Sequence, residues 1–309
     1  MSEYKPWLAS GRALPSDLHQ ACIIPISWVM AKASFLSRLI PRRFRKSSPV
    51  VNLVRLHGTI GVGSPLRPPL TAKDLDSLFE RAFTKNIAAV ALSVNSPGGS
   101  PVQSALIHSR IRALAAEYKV PVYVFCEDVA ASGGYWLACA GDEIYADESS
   151  IVGSIGVISA GFGFVEAIGK LGIERRVHTA GENKSILDPF QPQKQEDVDR
   201  LLALQADVHG AFKALVRERR AGKLKGDEVE MFSGAFWSGR QALDRGLIDG
   251  IGHMHEVLKQ KFGDKMILKN IAASRSWGLS RLGFGTIAGL PDSALAAIET
   301  RALWSKFGL

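Results

Sequence analysis

Ala88 to Ser100 reads AAVALSVNSPGGS. Its first seven residues are small or apolar without alternation, the pattern of a strand buried on both faces. Asn95-Ser96-Pro97-Gly98-Gly99 then turns the chain, and Ser100 is placed to cap a helix running to about Tyr118. A buried strand leading through a tight turn into a helix is the first half of a βαβ unit. It predicts a parallel sheet. The alternation continues outward in both directions. Val50 to Leu56 precedes as a strand, and Val120 to Phe125, Glu143 to Ala146 and Ile173 to Thr179 follow as three more. A small-residue helix over 131–140, a long amphipathic helix from Gln193 to Arg220 and a terminal helix over 292–304 complete the pattern. The class predicted is α/β, with a largely parallel sheet and βαβ units.

The chain has 309 residues, 46% hydrophobic and 22% charged, which excludes fibrous and disordered classes. Three cysteines, Cys22, Cys126 and Cys139, form an odd set without metal-like spacing. They argue against a disulfide scaffold and for a reducing, cytoplasmic setting. The net charge of +8 is concentrated at one end: residues 1–50 hold eight basic and two acidic side chains, a balance of +6. A basic arm on a near-neutral body points to an anionic surface touched by the arm alone. Nucleic acid is not expected, because no basic and aromatic stripe continues into the body.

Within that arm the uncharged run Ala21 to Ala31 is too short to span a bilayer and contains Pro25. A basic cluster placed after the apolar part is the wrong order for a signal peptide. Trp28, Phe35, Leu36 and Ile40, followed by Arg42, Arg43, Arg45 and Lys46, fit an interfacial helix giving peripheral membrane contact through 21–46. A helix packed on the core fits equally well, and Met30 is a second candidate start. The chain therefore divides into a basic amphipathic segment (1–49), a main domain (50–262) and an apolar, Gly-interrupted extension of unassigned role (263–309).

The chemistry centres on Asp128-Val129-Ala130-Ala131-Ser132-Gly133-Gly134-Tyr135-Trp136. Small residues crowd a serine where a helix begins, and free backbone N–H groups at a helix start stabilise an oxyanion. Taken alone, such a run serves close helix packing more often than catalysis. The turn Ser96-Pro97-Gly98-Gly99 adds weight, since successive strand-to-helix turns of a parallel sheet share one edge. There the N–H groups of Gly99 and Ser132 face one point. A serine nucleophile needs a base. No histidine lies between Ser132 and His178, so a Ser-His-Asp triad is neither signalled nor excluded. His253-Met254-His255 lacks a third ligand, and no metal is expected. Lys184, in the loop Gly181-Glu182-Asn183-Lys184-Ser185, is one candidate among many lysines. It would act as a base only if burial lowered its pKa.

Six ordered motifs, VNLVRLHGTIG (51–61), NSPGGS (95–100), VAASGGYWLA (129–138), VGSIGVI (152–158), GENKSILDPF (181–190) and WSGRQALDRGLIDGIG (237–252), resemble signal peptide peptidase A, or protease IV, in its single-repeat, half-length form. The resemblance covers about residues 50–262. It implies a Clp protease/crotonase-like fold and a serine endopeptidase with a Ser–Lys dyad and no cofactor. Ser132 would be the nucleophile, Lys184 the general base, and the N–H groups of Gly99 and Ser132 the oxyanion donors. Gly153, Ser154, Ile155, Gly156 and Val157 would pair with an extended peptide substrate, with signal-peptide or membrane-protein fragments expected. In half-length relatives the base crosses a subunit interface, which implies a homo-oligomer with active sites between subunits. Two other readings are a crotonase-type acyl-CoA enzyme, sharing the N–H pair without a nucleophile, and a catalytically silent scaffold binding membrane proteins.

Overall fold

A computed structural model describes residues 48–63, 68–272, 298 and 300–308, all within the unit Ser48–Leu309. The basic segment 21–46, Cys22 and most of 263–309 lie outside the described residues.

In chain order the elements are β1 (Val50–His57), α1 (Ala72–Ala82), β2 (Ala89–Ser96), α2 (Pro101–Tyr118), β3 (Val122–Ala131), α3 (Gly133–Ala138), β4 (Glu143–Ala146) and β5 (Ile151–Gly153). They continue with α4 (Val165–Lys170), α5 (Gln195–Arg219), α6 (Glu228–Met231), β6 (Phe236–Ser238), α7 (Gly239–Asp244), β7 (Gly250–Ile251), α8 (Met254–Phe262) and β8 (Ile267–Asn270). The main path of the sheet runs β6-β5-β3-β2-β1-β8, with β4 bridging β3 and β7. Every pairing is parallel except β5 with β6. The expected α/β class and largely parallel sheet are both present.

Period-two alternation divides the core. Val54, Leu56, Val90, Leu92, Val94, Val122 and Val124 face α1, α2 and α3, meeting Phe79, Ile107, Ile111 and Leu137. Val51, Leu53, Ala89, Ala91 and Phe125 face the other way, onto Val257 and Leu258 of α8. Helices on both faces explain why AAVALSV carries no polar alternation. Ser100 caps α2 as expected, its hydroxyl accepting the Gln103 N–H at 3.4 Å.

Three expectations are corrected. β3 does not stop at Phe125. Its register with β2 shifts between Val94 and Ser96, and the Asn95 side chain accepts the Val129 N–H across that irregularity at 3.3 Å. β3 then continues to Ala131, exchanging β4 for β5 as neighbour. The following helix is consequently shorter than 131–140 and starts at Gly133. Second, Ile173 to Thr179 forms no strand. Its residues are almost all exposed, and among the described residues no neighbouring strand completes their hydrogen bonds. Third, of the run Gly153–Val157 expected to pair with substrate, only Gly153 is in a strand: β5 ends there, where consecutive positive φ values, +110° at Gly153 and +53° at Ser154, turn the backbone out of the sheet.

Candidate active site

The register shift in β3 delivers Ser132 to the sheet edge beside β5, between Ala131↔Gly153 pairing and the start of α3. Ser132 has φ +52° and ψ −123°, a conformation that costs a side-chain-bearing residue about 1–3 kcal/mol. Its N–H donates to the Gly153 carbonyl at 2.8 Å, and its carbonyl accepts from Tyr135 and Trp136 at 2.9 and 3.0 Å. The serine is thereby clamped on both sides while its hydroxyl bonds to nothing among the described residues. A strained serine on a sharp strand-to-helix turn is the geometry that presents a nucleophile to substrate.

The two turns meet as expected. A Cβ on Gly98 would lie 2.8 Å from both the Gly133 nitrogen and the Ser132 Cβ. The small residues here let one turn approach the other. The expected donor pair does not stand as written: the Ser132 N–H is engaged by Gly153, so it is not free for an oxyanion. Among the described residues the N–H groups of Gly99 and Gly133 have no acceptor. The N–H groups at a helix start, those of the cap and of the residues just after it, all lack helical partners, and only the bond to Gly153 removes Ser132 from that set.

Lys184 is not brought to Ser132. It is exposed, its amide donates to Gly181 at 3.3 Å, and its side chain makes no hydrogen bond or ion pair among the described residues. From Gly156 to Ala211 no residue is buried. Ile158, Phe162, Leu171, Ile173, Leu202 and Leu204 are more than half exposed there. Only the C-terminal half of α5 reaches the core, through Phe212, Val216 and the stacking of Phe212 on Trp136 at 4.7 Å. Among the described residues no histidine contacts Ser132; His57 instead bonds the buried Ser93 at 2.6 Å, beside Glu127.

Of the expected substrate-pairing residues, Gly153 is committed to Ser132 and to pairing with Phe236. Ser154 donates to Ala235 at 2.7 Å and Gly156 to Ser154 at 3.0 Å. The N–H groups of Ile155 and Val157 remain without an acceptor among the described residues. A separate cleft of about 340 Å³, lined by Glu127, Asp128, Asp147 and His253, does not include Ser132. No described cluster of His, Cys, Asp and Glu is arranged to hold a metal, and no described helix is long and apolar enough to cross a membrane.

Residues 115–267 match the profile of peptidase family S49, and the Synechocystis protein named "Putative protease slr0021" is 30% identical over 208 residues, 67% of this chain and 72% of that one. The chain belongs to peptidase family S49. The chloroplastic serine protease SPPA of Arabidopsis thaliana is 31% identical over 223 residues, 68% of this S49 chain and 32% of that protein. The Na(+)/H(+) antiporter NhaA of Brucella melitensis is 52% identical over 292 residues, 90% of this chain and 40% of that protein. The chain thus spans about two fifths of the Brucella relative, and three fifths of that protein fall outside the match. Membership in S49 agrees with the Clp protease/crotonase-like α/β fold expected from the six motifs.

Proposed function

We propose that this S49 chain is a serine endopeptidase acting on extended polypeptide, with Ser132 as nucleophile and Lys184 of a neighbouring subunit as base. The observation that carries the reading is the strained, doubly clamped backbone of Ser132 beside the N–H groups of Gly99 and Gly133, which have no acceptor among the described residues. Lys184 takes the proton from the Ser132 Oγ as that oxygen bonds to the scissile carbonyl carbon. The carbonyl oxygen becomes an oxyanion held by Gly99 and Gly133. The tetrahedral adduct collapses, the C–N bond breaks, and Lys184 returns its proton to the leaving amine. Water then releases the acyl group by the same route, and no cofactor enters.

Supply of the lysine by a second copy is favoured by the exposure of the whole 156–211 segment. Its apolar side chains need a partner surface, and burial at that surface would lower the pKa of a lysine toward the range of a base. Crotonase-type chemistry would use the same N–H pair, yet it gives no reason for a strained serine beside it. Fragments of membrane proteins suit a cytoplasmic enzyme whose basic segment 21–46 touches anionic lipid, and that setting belongs to the proposal. The deciding experiment is mass spectrometry after incubation with a peptide-boronate probe. An adduct on Ser132, absent in Ser132→Ala, is the expected result; no adduct in an assembled protein would defeat the reading.

A further inference from the structure

The segment that would pair with substrate is tied to the rest of the protein by few bonds, and one comes from a side chain no motif singled out. His209 Nε2 lies 3.1 Å from the Ile155 carbonyl, so that nitrogen carries the proton and donates. We propose that His209 is a positioning residue for peptide binding, holding Ile155–Val157 in the register that an extended substrate requires. The inference rests on the peptidase reading.

Three observations carry it. Gly153 and Ser154 both have positive φ, so the backbone entering the segment is bent and would relax if released. Ile155 is fully buried, anchoring the side chain but not the peptide plane. Among the described residues the N–H groups of Ile155 and Val157 have no acceptor, while the Gly156 N–H turns back to Ser154 at 3.0 Å, so the two open donors are the groups of this segment that a peptide backbone could take once it is extended. His209 sits three residues before Phe212, on the part of α5 fixed to the core by the stacked Trp136. It joins that anchored end of the helix to the Ile155 carbonyl. Since the bond needs only a protonated Nε2, neutral and charged imidazole both sustain it.

The test compares His209→Ala and His209→Gln with wild type on an eight-residue peptide and on a single-residue ester, in the full-length assembled protein. With His209→Ala, kcat/KM on the peptide should fall roughly fivefold to tenfold, mostly through KM, as expected for one lost hydrogen bond. The ester should lose less than about a third as much, because it does not reach the segment. His209→Gln, which retains an amide donor, should recover most of the peptide loss. Amide exchange over 151–158 should quicken in His209→Ala and return toward wild type in His209→Gln. Equal losses on both substrates, an unchanged or lower KM, or unaltered exchange would each overturn the inference. If wild type turns over neither substrate and no probe labels Ser132, the peptidase reading falls and takes this inference with it; a labelled, active wild type with indifferent His209 variants sinks the inference alone.

Discussion

The amide of Ser132 donates to the carbonyl of Gly153 across 2.8 Å, and each of these residues has a positive φ. A strained serine is held by a backbone bend that only glycine adopts easily. The bend is protected in turn: a Cβ on Gly153 would come within 2.7 Å of the Trp237 ring, which is buried. Gly153→Ala should therefore destabilise the protein by about 2 kcal/mol or more and displace Ser132. Thermal unfolding and the rate of boronate labelling at Ser132 measure both effects. Wild-type labelling in Gly153→Ala would show that the clamp does not position the serine.

Strain at Ser132 makes a second forecast, with stability and, on the peptidase proposal, activity moving in opposite directions. Ser132→Gly removes the side chain that makes φ +52° costly, so it should be inactive yet more stable by about 1 kcal/mol. Ser132→Ala keeps a Cβ and should be inactive at nearly unchanged stability. Urea midpoints for the three proteins at one pH suffice; a less stable Ser132→Gly would argue against stored strain.

Much of this site was legible in the sequence, and the misses have specific causes. The turn Pro97-Gly98-Gly99 and the run Ala130 to Gly134 announced themselves by composition, and the parallel sheet placed them together. The engagement of the Ser132 amide was not legible because it depends on the register between β3 and β5, which pairs Ala131 with Gly153. The extension of β3 was missed because Glu127 and Asp128 interrupt the apolar pattern. They sit at an irregularity satisfied by Asn95, whose amide donates to Asp128 at 2.7 Å. Ile173 to Thr179 has the composition of a strand, but among the described residues no strand lies beside it, and local pattern does not say whether a neighbouring strand is there. His209 gave no motif at all, since a single histidine in an amphipathic helix is indistinguishable from a solvated one.

If the base crosses an interface, two inactive proteins should make an active one. Mixing equal amounts of Ser132→Ala and Lys184→Ala should restore about a quarter of wild-type activity once subunits exchange at random. Lys184→Arg should behave as Lys184→Ala, because guanidinium does not give up its proton at accessible pH. Recovery is read with a chromogenic peptide after exchange has been verified by native mass spectrometry. Absence of recovery with exchange verified would place both groups of the dyad in one chain.

The last prediction concerns acid. His108 on α2 is buried, its Nε2 has no partner among the described residues, and its pKa is lowered to about 4 from 6.5. Burial is the main cause, aided by the positive charges of Arg219 and Arg112 and opposed by a hydrogen bond to the Cys139 backbone. Between pH 6.5 and 4 the unfolded chain binds a proton here that the folded chain refuses, so stability falls as pH falls through that window and is complete above it. At about 1.36 kcal/mol per pKa unit the loss by pH 4 is on the order of 3 kcal/mol. Asp249 adds a separate, lower window. Its partial burial opposes ionisation, but bonds from Arg220 at 2.6 Å and Lys223 at 2.7 Å prevail and hold its pKa below 3.8. Its stabilising effect is therefore present above that value and is lost only as pH drops through the depressed pKa. His108→Gln should flatten the decline between pH 6.5 and 4 while leaving the steep loss below it, and Asp249→Asn should do the reverse at the expense of stability at every pH, because Arg220 is buried and left without its carboxylate. Urea denaturation of the three proteins from pH 7 to pH 3 resolves the two windows, and an undiminished slope above pH 4 in His108→Gln would assign that acid sensitivity to another group.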